Sequence, residues 1–509
     1  MKRFISLLLA IVICILMLSF VSYSKEESIV FSYRRNYDSY ARNLDSFYTF
    51  IGSKLDSFAD CILDAVVLEK DFIDIDHFEI PATENMFRGI EQFIWKELPA
   101  AFNVNGIGFY TNDFAGRSLI TGVYVSYSID SQTYVDMLNA CEQAAETVLF
   151  GIKDNDSLTQ IEKALLIHDR IAALCEYDLE FGSNCYNMYG VLVQKAGVCE
   201  GYTMAYKYLL DQVGVQSYYC SSDQLNHAWN ILVLDGETYH VDITWDDPIP
   251  NMPSRVCHSN FLRSTCGFAE TGHRASDYDQ SPISTQYDRA YWQSSTSEFQ
   301  LIENDVFFLD NSNEYLCKVT EDGNEQILSI DDTWWANGGY YGENYSKLSS
   351  SCKTLFYSLS DSVYSYSVKT GQSQLIFKPA LAPGEAIYGM SYDGERVFCY
   401  IGTSPDTYSR TELKPYSIPE EEHSFEHDSD LQCDVCGAMR KSGVAGDLNC
   451  VGGVNSDDAI YLLYSVLLGE SRYPLNQNCD FNKDGDVDSD DAIYLLYHAL
   501  LGAQRYPLL

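Results

Sequence analysis

Positive charge is scarce in this sequence: 33 lysines and arginines face 73 aspartates and glutamates, a net charge of −40. A surface this anionic repels phosphate backbones, which excludes nucleic acid as a partner class. Long apolar runs are missing too, apart from Ile5 to Val21 at the start, and no later segment is long enough to span a bilayer. That one run follows Lys2 and Arg3 and precedes Ser22-Tyr23-Ser24. A basic start, an apolar centre and small residues before the cut make residues 1–24 a secretory signal peptide, with an uncleaved anchor as the alternative. The expected mature chain is extracellular and has no membrane span. No paired-carboxylate motif of a polysaccharide hydrolase stands out.

Cysteine is not lacking. Of 16 residues one, Cys14, lies in the leader, and 16 − 1 = 15 is odd, so at least one thiol stays outside intramolecular disulfides. A chain of 509 residues exceeds one hydrophobic core. After the leader the text divides into a mixed α/β region (25–145), a motif-bearing region (146–290), a β-rich module (291–402), a linker (403–422), a Cys/His-rich knot (423–440) and a repeat (445–509). The spacing predicts a helix from Leu44 to Leu68, a strand pair from Gly106 to Ser128, and a helix over Ser157–Glu176 capped by Ser157 or Thr159. Short aromatic runs separated by Asn, Asp, Gly and Ser in the β-rich module predict a small sheet or sandwich.

Within the motif-bearing region, Ala196-Gly197-Val198-Cys199-Glu200-Gly201 precedes a helix whose apolar residues Tyr202, Ala205, Tyr206, Leu209, Leu210 and Val213 recur every three or four positions. Cys199 thus falls at a helix N-terminus, where unpaired N–H groups favour the nucleophilic thiolate. Downstream, His227 to Leu234 and Glu237 to Trp245 flank Asp235-Gly236, a two-residue hairpin signal. A tight turn pairs Leu234 with Glu237 and sets Asp242 opposite Trp229, on the face of His227 and diagonal to it. A carboxylate there fixes the imidazole, and the imidazole takes the proton of Cys199.

The runs Tyr189–Leu192, Ala196–Tyr202, Asn226-His227-Ala228-Trp229-Asn230 and Tyr239–Pro248, led by His168-Asp169 and Glu176-Tyr177-Asp178, closely resemble the bacterial transglutaminase-like superfamily over roughly residues 150–280. The resemblance implies a papain-like α+β core with Cys199, His227 and Asp242 as catalytic residues. It implies acyl transfer at amide bonds, by a peptidase, an amidase or a true transglutaminase acting on a peptide or protein. The backbone N–H of Cys199 is the first oxyanion donor. Trp229 and Trp245 are expected to wall the substrate pocket. A catalytically silent binding module is the alternative reading.

Residues from Gly453 and from Asp486 repeat at a spacing of 33, both ending Arg-Tyr-Pro-Leu. The second copy contains Asp480, Asn482, Asp484, Gly485, Asp486, Asp488 and Asp491, a twelve-residue calcium loop with oxygens at positions 1, 3, 5, 9 and 12 and a carbonyl at 7. The first keeps Asp447, Asn449, Asn455 and Asp458 but has Val451 at position 5, so its site should be weaker. Two such loops, each followed by a helix, resemble a type I dockerin. That implies a small all-α module with paired EF-hand-like loops, docking to a cohesin domain of a scaffoldin, as in cellulosomes. It also implies contact through Ser456, Asp457, Ser489 and Asp490. An accessory role in polysaccharide breakdown follows only from that company. Upstream, His423, His427, Cys433 and Cys436 offer four ligands for a structural zinc; the Cys-x2-Cys pair equally suits a disulfide.

Overall fold

The computed structural model describes residues 46–114, 116–249, 251–321, 323–336, 339–340, 344–419, 422–424, 433, 435, 444–450, 453–469, 473, 475 and 477–508. The leader, His427, Cys436 and Val451 lie outside them. The chain is a mixed α/β, multidomain structure with several sheets.

Helices α1 (Ser46–Ile51) and α2 (Leu55–Val67) bury Phe47, Ile51, Phe58, Ile62 and Val66. They precede the strands β1 (Phe72–Asp74) and β2 (Ile80–Pro81) and helix α3 (Glu84–Gln92). The hairpin of β3 (Val104–Phe114) and β4 (Arg117–Tyr127) completes an antiparallel sheet in which β4 pairs with β1, β2 and β3. Helix α4 (Ser131–Val148) is capped by Asp130, and α5 (Gln160–Leu174) starts at a capping box: the Thr159 hydroxyl accepts from Glu162 N at 3.2 Å while Glu162 accepts from Thr159 N at 2.8 Å.

The parallel pair β5 (Glu176–Tyr177) and β6 (Ala196–Gly197) leads into helix α6 (Cys199–Gln212). Strands β7 (Gln216–Ser222), β8 (His227–Leu234) and β9 (Glu237–Val241) form an antiparallel sheet packed on α6. Short helices α7 (Ile243–Asp246) and α8 (Thr265–Glu270) follow. One continuous apolar core runs from Phe47 to Cys317. A buried ion pair ties its halves together: Lys207 Nζ on α6 lies 3.0 Å from Glu97 and donates to Ser217 O at 2.8 Å, while Glu97 accepts from Tyr219 N at 3.2 Å.

Where a small sheet or sandwich was expected, the chain forms consecutive antiparallel meanders: β10–β13 (300–329), the short pair β14–β15 (335–340), β16–β19 (348–377) and β20–β22 (386–415). Tight turns such as Cys352-Lys353 make each strand pair with its neighbours in sequence, which favours meanders over an interleaved sandwich. The final helices α9 (Ser456–Leu468) and α10 (Ser489–Leu501) share a core of Leu448, Leu462, Phe481 and Leu495.

Candidate active site and C-terminal loops

Cys199 is the first residue of α6, after Val198 in extended conformation with no capping side chain. The helix's first N–H groups are therefore free of a side-chain acceptor and point toward the thiol end. Gly201 makes this neck possible: a Cβ there would lie 2.3 Å from Cys185 O, the carbonyl that already accepts from Val198 N at 2.9 Å.

The hairpin register is Leu234↔Glu237 through Asn230↔Val241, which sets Asp242 across from Trp229. Asp242 leaves the sheet to cap α7, accepting from Trp245 N at 3.4 Å, and its own N–H donates to Asn260 O. Its carboxylate lies 2.7 Å from His227 Nε2, and the Cys199 thiol is a further hydrogen-bonding partner of the imidazole. Burial depresses the His227 pKa, but the Asp242 charge and hydrogen bond, joined by Cys199, outweigh it and raise the value to about 10. Burial likewise opposes the Asp242 charge, yet His227 and then His273 hold its carboxyl well below the ordinary range. The arrangement thus favours an imidazolium held against the Asp242 carboxylate, beside the Cys199 sulfur.

His273, which the sequence did not single out, gives Asp242 a second imidazole partner: its Nε2 lies 2.8 Å from the same oxygen. Its ring is stacked on Phe268 at 3.5 Å and tilted against Trp245 at 3.9 Å. No periodicity or spacing marks it, because it reaches the site through a loop 31 residues downstream. A second buried network lies behind. Asp169 binds His168 Nδ1 at 2.8 Å, His258 Nε2 at 3.0 Å and Phe299 N at 2.7 Å, so the sequence-flagged His168-Asp169 pair braces α5 against the loop after α7.

A cleft of about 330 Å³ opens over Cys199 and His227. Tyr177, Phe181, Tyr186 and Tyr219 supply its aromatic walls, with Lys96 and Glu200 as opposite charges. Neither expected tryptophan lines it. Alternation along β8 puts Trp229 on the His227 face, where it is buried, stacks on that imidazole at 5.7 Å and donates to His240 Nδ1 at 3.1 Å. Trp245 reaches His227 from the outer side, with ring centroids 5.6 Å apart. Both tryptophans therefore support the histidine rather than wall the cleft. A larger hollow of about 830 Å³ between Glu146–Ser157 and Glu303-Asn304 holds none of these residues.

In the C-terminal repeat, Asn455 and Asp488 cap α9 and α10, and Asp458 and Asp491 close the loops behind them. Asp458 accepts from Leu448 N at 2.7 Å and from Asn449 N at 3.0 Å; Asp491 accepts from Asn482 N at 2.9 Å and Asp488 N at 3.0 Å. Asp480 Oδ1 is buried without a hydrogen-bond partner among the described residues. An orphaned carboxylate oxygen inside an all-oxygen loop fits a hard cation such as calcium. Ser456, Asp457, Ser489 and Asp490 are all exposed at the first turns of the two helices.

Of the Cys/His-rich knot, His423 and Cys433 fall among the described residues. They converge on Cys352, with Cys352 Sγ 3.2 Å from His423 Nδ1 and 3.5 Å from Cys433 Sγ.

No family model matches the sequence, and no curated protein matches it. Thirteen chains of solved structures match. One is a transglutaminase, 11% identical over 27% of this chain and 45% of its own, with a TM-score of 0.19. Another, provisionally described as a cysteine protease from Cytophaga hutchinsonii, is 16% identical over 29% of this chain and 64% of its own, with a TM-score of 0.18. A third is the N-terminal domain of Nup159, 8% identical over 38% and 42%, with a TM-score of 0.17. The match spans less than two thirds of the length of each.

Proposed function

We propose that this chain is a secreted cysteine acyl-transfer enzyme acting on peptide or protein amides. The observation that carries the reading is the Cys199–His227–Asp242 alignment at the lip of an aromatic cleft. The Cys199 thiolate attacks the amide carbonyl, and the electron pair of the C=O moves to oxygen, where the Cys199 backbone N–H receives it. The tetrahedral intermediate collapses to a thioester while the His227 imidazolium gives its proton to the leaving amine. Water, or a second amine, then attacks the thioester, with His227 taking the incoming proton back. Asp242 keeps the imidazole oriented throughout, and His273 holds Asp242 in place.

Calcium in the C-terminal loops, held through Asp480, Asn482, Asp484, Asp486, Asp488 and Asp491, and more weakly through Asp447, Asn449, Asn455 and Asp458, would order helices α9 and α10 for partner contact. Ile460, Leu467, Leu468, Leu500 and Leu501 are exposed on those helices, an apolar surface suited to a protein partner. The reading is a dockerin that carries the enzyme to a scaffoldin cohesin.

Incubation with a protein mixture, with and without a primary amine, tests the chemistry. Amine incorporation marks transfer and new N-termini mark hydrolysis; either must vanish in Cys199→Ala, and activity surviving that change overturns the assignment.

A further inference from the structure

We propose that Cys352, His423 and Cys433 supply three ligands of a structural zinc site that clamps the chain leaving the β-rich module onto the β16–β17 turn. The sequence pattern offered His423 and Cys433 but gave no reason to include Cys352, 71 residues upstream of His423.

Three observations converge. First, the distances suit a shared ion. Tetrahedral zinc with Zn–S near 2.3 Å and Zn–N near 2.0 Å sets sulfur–sulfur at about 3.8 Å and sulfur–nitrogen at about 3.5 Å. The structure has 3.5 Å and 3.2 Å, and all three donor atoms lie within 4.8 Å of one another. A disulfide needs about 2.05 Å. Second, the donors are set by local structure. Cys352 sits at φ +55°, in the left-handed region that favours glycine or asparagine, at the tip of a two-residue turn between Ser351 and Thr354. Ser424 N donates to Cys433 Sγ at 3.4 Å, the kind of N–H support that metal-bound thiolates receive. Third, the surrounding contacts already bring the two segments together. Lys353 N donates to Glu422 O at 3.3 Å, and Ser367 Oγ to Glu422 Oε1 at 2.6 Å.

Sulfur with imidazole nitrogen selects zinc over the hard cation of the C-terminal loops. Binding converts two thiols to thiolates and releases two protons to solvent, with no change of oxidation state. The fully buried cluster of His168, Asp169 and His258 differs in kind: Asp169 bridges the two imidazoles and accepts from Phe299 N, His258 Nδ1 meets Ser295 O, and His168 Nε2 faces Asp246 at 3.3 Å, so the charges pair among themselves.

The test uses the full chain in the Cys199→Ala background, so that the cleft thiol does not contribute. Zinc is measured by mass spectrometry of the metal after reduction and desalting, and Co²⁺ is then titrated into the stripped protein. The proposal expects about one zinc per chain and a sulfur-to-cobalt charge-transfer band. Cys352→Ser should lower zinc affinity at least tenfold and weaken that band, while Cys317→Ser, remote from the cluster, should leave both unchanged. Circular dichroism of each variant, with the wild-type cobalt spectrum, separates loss of metal from loss of fold. Absence of zinc together with absence of the cobalt band overturns the proposal, and so does a Cys352–Cys433 disulfide in peptide maps. Unchanged binding in Cys352→Ser overturns it as well.

Discussion

Replacing Asp242 by Asn removes a charge and keeps the shape. In the wild-type site the His227 pKa stands near 10 because the Asp242 carboxylate overcomes the burial that would lower it. Without that charge, burial is left unopposed, and the pKa falls to or below the unfolded value of about 6.5. At pH 7 the imidazole then becomes largely neutral and no longer sets a positive charge beside the Cys199 sulfur. An ordinary thiol is roughly 3% ionised at pH 7, whereas one paired with an imidazolium is mostly ionised. Alkylation of Cys199 by iodoacetamide at pH 7, followed on its tryptic peptide, should slow by roughly ten- to thirtyfold in Asp242→Asn. Turnover should fall further, on the order of a thousandfold or more, since the imidazole also loses its orientation. Stability should drop as well. His227 has a raised folded pKa, so its contribution is complete below about pH 6.5 and is lost as pH rises toward 10; the gap is worth roughly 3–5 kcal/mol. Equal alkylation rates in folded wild type and variant at pH 7 would refute the reasoning.

Other perturbations have defined outcomes. His240 is buried, and desolvation together with His273 lowers its pKa to about 3. The unfolded chain therefore binds the extra proton between pH 6.5 and 3, and stability falls as pH drops through that window. His240→Gln should flatten the acid limb of a melting-temperature profile; an unchanged limb argues against this assignment. Lys207→Met strands the Glu97 charge in the core and should cost about 3–5 kcal/mol in urea unfolding. Gly201→Ala forces a Cβ against Cys185 O and should cost about 1–3 kcal/mol while slowing Cys199 labelling. Asp480→Ala should weaken the tighter of two calcium-binding events by roughly tenfold or more in calorimetry; two equal, unaffected sites would contradict the reading of the loops.

What was legible in the sequence was local. Asp235-Gly236 set the hairpin register to the residue, and with it the approach of Asp242 to His227. Of the two caps the sequence offered, Ser157 and Thr159, it is Thr159 that starts α5. Period-two alternation put Trp229 on the His227 face, but alternation cannot say whether a face looks into a cleft or a core, and Trp229 went to the core. The unread features are all long-range. His273 meets Asp242 across a loop, Lys207 meets Glu97 across 110 positions, and Cys352 meets His423 between separate segments. Such contacts depend on how elements pack, and no single-chain periodicity encodes them.

The central claim is that Cys199 carries the acyl group. Its most direct measurement is rapid acid quenching during reaction with a peptide mixture, followed by mass analysis of the peptide containing Cys199. The account predicts an acyl adduct on Cys199 that hydroxylamine removes and that is absent in Cys199→Ala. Product formation with no adduct at Cys199, undiminished in Cys199→Ala, would contradict it.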